Sequence, residues 1–166
     1  MRRHLLAFAA LTIVPFTTVF SQTTVNIRAG TPLKVKLERD VTSSTEKAGD
    51  TVTFRLAADY SKHRHVLISQ GTKVYGVVSE AQPRSGHGKP GDITLSVQAV
   101  RAVDGQMIPL EGAKSKHGDS HHAESTVLHV LTLGLAKSKT GSTAVIPQGT
   151  EFTVYTAEKV TVAIPN

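Results

Sequence analysis

Ile27-Arg-Ala-Gly30-Thr31, Ile68-Ser-Gln-Gly71-Thr72 and Ile146-Pro-Gln-Gly149-Thr150 are three copies of one phrase. Each leads into an alternating run: Pro32 to Leu37, Lys73 to Val78 and Glu151 to Tyr155. Gly30 and Gly71 stand 41 residues apart, Gly71 and Gly149 78 apart, so the spacing is one period and then about two. A second phrase keeps step: Ala48-Gly49-Asp50 and Pro90-Gly91-Asp92, 42 residues apart, each before a strand-like run. A fixed period of this length marks a duplicated structural unit. A glycine at its start supplies a backbone turn that other residues enter only with strain. The expectation is that Gly30, Gly71 and Gly149 occupy equivalent turns that launch equivalent strands.

Outward from these phrases, period-two alternation continues along the chain. It appears in Leu33/Val35/Leu37, Val52/Phe54/Leu56, Val66/Ile68, Val74/Gly76/Val78, Ile93/Leu95/Val97, Phe152/Val154 and Val160/Val162/Ile164. The intervening residues are Lys, Thr, Arg, Ser and Gln. One face of such a sheet is buried and the other is wet, which is the antiparallel pattern. Turn signals separate the runs at Gly49-Asp50, at Gly86 to Gly91, and at Asp104-Gly105, a tight-hairpin dipeptide between Val103 and Met107. The fold class is therefore all-β: a small antiparallel β-barrel or sandwich from a duplicated strand unit. The 166 residues suit a single domain. With 5% aromatics and no Trp, its core must rest on Val, Leu and Ile.

One region interrupts the pattern. Residues 114–143 are too long for an ordinary connection. They run from a His-rich start through the apolar Val127 to Ala136 and end in Lys137 to Thr143. Ser125–Lys139 reads as one helix, with Ser125 at the cap and Lys137 and Lys139 at the carboxyl end. Leu128, Leu131 and Leu135 then form one apolar stripe. Facing out, the stripe is an interaction surface for a membrane or a partner. Facing in, it is a lid on the barrel.

In order, the chain has a Gly-Thr strand, a Ser-rich turn, a Gly-Asp strand, Leu67-Ile-Ser-Gln-Gly71-Thr-Lys-Val-Tyr-Gly76, the Asp104-Gly105 hairpin, a long insertion and a final Ile146-Pro-Gln-Gly149-Thr. Over most of residues 27–156 this resembles the carboxyl-terminal β-barrel of TrbI-type conjugal-transfer proteins, core-complex scaffolds of type IV secretion. The resemblance implies a barrel whose helical insertion reaches the outer membrane. The Pro-rich linker of that family is missing here and the insertion is brief, so the chain looks like a stand-alone relative.

The chemistry-bearing residues are few. No cysteine is present, which excludes disulfides, thiolate nucleophiles and Cys-ligated zinc. His117, Asp119, His121 and His122 cluster in a stretch suited to zinc, copper or nickel. Gly118 and the polar surroundings make it a loop, where capture of such ions is adventitious. His63-Arg-His65 reads as an exposed pair. Ser44-Thr-Glu-Lys47 and Lys139-Thr-Gly141 match two penicillin-binding signatures. Yet Ser44 sits in a polar turn rather than on a buried helix, and the middle element of that set is missing. The resulting expectation is no enzymatic activity, no catalytic residue and no resident cofactor. Lys and Arg are scattered along strands and loops without interleaved aromatics, so nucleic acid is not an expected partner, and no small-molecule substrate is indicated.

Residues 1–21 read as a signal peptide, with Arg2-Arg3, an apolar stretch from Leu5 to Val14 and small residues at Val19 and Ser21. Residues 22–166 then form the single barrel domain, with its insertion at about 114–143. Loss of Arg2 and Arg3 from 19 basic residues leaves 17 against 13 acidic, a net +4. The function expected is an exported, non-enzymatic structural or interaction module of the bacterial cell envelope. Its partner would be an envelope protein or the outer-membrane surface. The alternative is a periplasmic metal-binding protein using the 117–124 loop. Amino-terminal sequencing of the native protein is expected to begin at Gln22, in a periplasmic or secreted fraction. An intact residue 1 in the membrane fraction would mean an uncleaved anchor instead.

Overall fold

A computed structural model describes residues 23–86, 88–119 and 141–164. These residues form strands and turns with no helix among them. The strands are β1 (Thr24–Ile27), β2 (Pro32–Leu37), β3 (Val41–Thr42), β4 (Thr51–Leu56), β5 (Tyr60–Lys62), β6 (His65–Ile68) and β7 (Lys73–Gln82). They continue with β8 (Asp92–Arg101), β9 (Met107–Glu111), β10 (Ala113–His117), β11 (Val145–Ile146), β12 (Glu151–Thr156) and β13 (Val160–Ala163). Six of them close a barrel in the order β8-β7-β4-β2-β12-β9, with β9 pairing back onto β8. Every pairing is antiparallel. The architecture is thus a barrel and not a sandwich. β10 is a seventh strand on β8, and β1–β13, β3–β11 and β5–β6 form two-stranded ribbons.

The alternation decides what lies inside, because successive side chains of a strand point to opposite faces. β2 reads exposed-buried throughout, with Leu33, Val35 and Leu37 inside. β4 contributes Val52, Phe54 and Leu56, and β8 contributes Ile93, Leu95 and Val97. Each fully buried side chain of this kind stabilises the fold by about 1.5–3 kcal/mol. Phe54 meets Phe152 edge to face, ring centres 5.6 Å apart. Apolar side chains fill the interior while Lys, Arg and Thr cover the wall, the reverse of a lipid-embedded barrel.

The repeated phrase is a repeated hydrogen-bond unit. Gly30, Gly71 and Gly149 have φ of 74°, 77° and 82°. Each glycine N–H donates to the carbonyl of the last residue, or the last inward one, of the neighbouring strand: Thr156, Leu56 and Leu37, at 2.7, 2.8 and 2.9 Å. The same three residues donate back to the carbonyl of the threonine that follows each glycine, Thr31, Thr72 and Thr150. The next residues, Ala157, Ala57 and Glu38, then donate to the strand on the other side, at Pro109, Lys34 and Thr53. One phrase therefore ties three strands together, three times.

The second phrase does not repeat in this way. Gly49 has φ of 95°, and its N–H donates to Val78 while Val78 donates back to Asp50. Gly91 is not in the left-handed region. It is needed for space, since a Cβ there would collide with Ser43 Oγ. One further expectation is corrected. Val66 is exposed while Leu67 and Ile68 are both buried, so the Val66/Ile68 alternation fails. His63 and Arg64, with φ of 50° and 66°, form the turn between β5 and β6, and His65 opens β6. The Asp104-Gly105 hairpin forms as expected between β8 and β9. Partial burial pushes the Asp104 carboxyl upward, but hydrogen bonds from the Ala163 N–H and from Gln106 outweigh it and hold it below its usual value.

Nothing lies within 4 Å of a Cβ built on Gly30 or Gly71, so substitution there is opposed by backbone strain and not by crowding. Replacement of Gly30, Gly71 or Gly149 by Val is expected to destabilise by about 1–2 kcal/mol each, and Asn should recover much of the loss. Thermal denaturation measures this. Unchanged melting temperatures for all three Val variants would show that the phrase is not structural.

Candidate interaction site at the neck of the insertion

The start of the insertion is not where the sequence places it. Ala113–His117 is strand β10, paired residue for residue with β8 from Ala113↔Ser96 to His117↔Asp92. Its Lys-Ser-Lys-His composition resembles a loop, yet the backbone continues β9 past Gly112. A Cβ at Gly112 would press into Val154. There the chain leaves β12 and stays with β8.

The two ends of the remaining segment meet. The Asp119 N–H donates to Ser142 Oγ, and the Ser142 N–H donates to the Asp119 carbonyl at 3.1 Å. The Ser142 carbonyl accepts from the Gly91 N–H at 3.0 Å, and Gly91 in turn accepts from Gly118 at 2.9 Å. Gly118 and Gly141 are pressed against the backbones of Ser142 and Lys89, where a Cβ would collide. Below this clasp, the Ser43 N–H donates to the Ala144 carbonyl at 2.9 Å, and Ser43 Oγ accepts the Ala144 N–H at 3.1 Å. Ser43 is fully buried, so its hydroxyl is satisfied inside the protein, as buried polar groups require. Asp119 and Ser142 thus bring the two flanks of residues 120–140 to one point of the barrel.

Of the expected metal residues, His117 and Asp119 stand at this neck, both exposed. His117 Nδ1 lies 3.5 Å from Asp92 Oδ2 across the ladder. His121 and His122 lie outside the described residues. Among the described residues, no three His, Asp or Glu side chains converge to hold a metal ion. The stripe Leu128, Leu131 and Leu135, the helix expected over Ser125–Lys139, and Lys139 of the Lys-Thr-Gly motif also lie outside them. Ser44 sits in an exposed turn, its hydroxyl 3.1 Å from Thr42 Oγ1.

A groove of about 550 Å³ runs between the end of β2 and the Gly149 turn, lined by Lys36, Glu38, Arg55 and Gln148. Gln148 closes its side, donating from Nε2 to the Glu38 carbonyl at 2.8 Å and from its N–H to Asp40 at 2.7 Å. No sequence motif pointed to this groove, because its residues come from three separate strands and turns.

No protein-family model matches the sequence, and no curated protein matches it. Among solved structures, the chain is similar to ComB10 of the Com type IV secretion system of Helicobacter pylori. The two share 12% identity and a TM-score of 0.45 over 85% of this chain and 92% of that one.

Because Asp119 and Ser142 hold the ends together, the barrel does not need residues 120–140 to close the chain. Replacing them with a short Gly-Ser bridge is expected to leave a folded protein whose melting temperature moves by no more than about 2–4 °C, since loop length contributes to stability only weakly. The replacement must spare 113–119 and 141–146, which belong to the fold. A variant that fails to fold would place 120–140 in the core.

Proposed function

We propose that this protein is an exported, non-enzymatic interaction module of the bacterial cell envelope, similar to type IV secretion scaffold barrels. The observation that carries the reading is the neck. A closed barrel with a packed interior brings the two flanks of residues 120–140 together, clasped by Asp119, Ser142 and Gly91. Such a base fixes an appendage in place without committing its own side chains to chemistry. The described His, Asp and Glu residues are dispersed over the outside, and the interior is apolar. The motif order from Gly30-Thr31 to Gly149-Thr150 adds the secretion-scaffold likeness. On this reading residues 120–140 meet an envelope protein or the outer-membrane surface from the periplasmic side. The barrel needs no cofactor.

The test compares the full chain with the 120–140 replacement in the native cell, by fractionation and in situ crosslinking. The full chain is expected in the envelope, crosslinked to an envelope protein through 120–140. The replacement is expected to be exported and folded but uncrosslinked. Equal crosslinking of both would move the contact to the barrel wall. Calorimetric titration with zinc addresses the alternative. Saturation at a defined stoichiometry, abolished by His117→Ala, would replace this reading with a metal-binding one.

A further inference from the structure

The wall of the barrel carries a row of cations that the linear sequence conceals. Lys36 of β2 lies directly opposite Arg55 of β4, and Arg55 lies opposite Lys73 of β7. Val74 pairs with Val100, which sets Lys73 beside Arg101, the last residue of β8. The four residues are exposed and occupy adjacent places across four of the six barrel strands. Glu151 of β12 bounds the row beside Lys36, and Met107 of β9 bounds it beside Arg101.

Neighbouring strands are only about 4.8 Å apart, and like charges directly opposite one another destabilise a sheet. The row is only partly neutralised. Arg55 is fixed by Glu38, with Nε to Oε1 at 2.5 Å, and by the Gly71 carbonyl, at 2.9 Å from Nη1. The other ion pairs among the described residues are Arg39–Glu46 and His117–Asp92. Lys36, Lys73 and Arg101 have no ion-pair partner among the described residues. Two depressions flank the row. The groove of about 550 Å³ lies at Lys36 and Arg55. A smaller one of about 180 Å³ lies at Arg101, beside Thr72.

From this arrangement we propose that the row is a docking track for a flexible acidic segment of a partner protein, whose carboxylates pair with Lys36, Lys73 and Arg101. Charge complementarity sets the sign of the occupant. Curvature sets its form: the row follows the barrel wall over four strands, so a flat anionic membrane touches only part of it, whereas an extended chain follows it throughout. No aromatic side chain belongs to the row, so it offers no platform for stacking bases. This surface is separate from the insertion and stands whether or not 120–140 contacts the envelope.

The experiment uses the purified protein and a fluorescently labelled peptide of alternating Glu and Gly, read by anisotropy. Binding is expected at low salt and should weaken as salt rises. The triple variant K36Q/K73Q/R101Q is expected to bind at least about tenfold more weakly, with a melting temperature no lower than the parent, because like-charge repulsion has been removed. The triple K47Q/K89Q/K159Q, with the same change in net charge, is expected to bind as the parent does. In the unmodified protein, peptide-induced shifts of amide resonances should centre on Lys36, Arg55, residues 71–75 and Arg101. That readout needs no variant to fold. Equal loss in both triples, or shifts spread over the surface, would reduce the effect to net charge and overturn the proposal. So would row-dependent binding to phosphatidylglycerol vesicles or to dextran sulfate in preference to the peptide.

Discussion

The barrel depends on one short closure. Strand β12 meets β9 through only two residue pairs, Tyr155↔Glu111 and Thr156↔Leu110. Thr156 is almost fully buried, at 2% exposure, and is polar, so every group it brings must find a partner. It does. Its N–H donates to the Thr31 carbonyl and its carbonyl accepts from Gly30. Its hydroxyl donates to the Arg28 carbonyl at 2.6 Å and accepts from the Thr31 N–H at 3.0 Å. The first copy of the repeated phrase is thereby locked to the strand that closes the sheet. Closure removes the open edges that a six-stranded sheet would otherwise expose to pairing with other chains.

The same closure explains the neck. One residue beyond Glu111, Gly112 sits against Val154, and the chain parts from β12 to continue as β10 on β8. β12 goes on with β2 alone. β11 packs beside β10 and pairs with β3, so that Val41, Ser43, Ala144 and Ile146 are buried. The insertion leaves from this divergence. Its position follows from where two strands can no longer stay together.

Much of this was readable in advance because it depends on local chemistry. Left-handed glycines, an Asp-Gly hairpin and period-two alternation leave their mark within a few residues, and Gly30, Gly71, Gly149 and Gly105 behave accordingly. What stayed hidden depends on contacts distant in sequence. Gly91 looks like Gly49 in the chain, but its reason is Ser43, met only in the folded state. β10 reads as part of the insertion because Lys114 and Lys116 sit on the face of Leu95 and Ile93, where alternation calls for apolar residues. The clasp joins Asp119 to Ser142 through backbone groups, which carry no residue signature. Lys36, Arg55, Lys73 and Arg101 look scattered in sequence, and only the strand register aligns them.

β8 connects the two surface features. Asp92 at its start faces His117 beside the neck, and Arg101 at its end closes the cation row. A strand rises about 3.3 Å per residue, so the two stand roughly 30 Å apart. Ile93, Leu95, Val97 and Val100 anchor the intervening length in the core. A barrel strand fixed in this way does not slide, because a slip of one residue would turn its whole apolar set outward. The distance between neck and row is therefore constant. A partner that engages both must span it, and one that engages a single site feels no constraint from the other. The core thus does more than stabilise the fold: it keeps two chemically different surfaces, one built from backbone clasps and one from like charges held side by side, at a fixed separation.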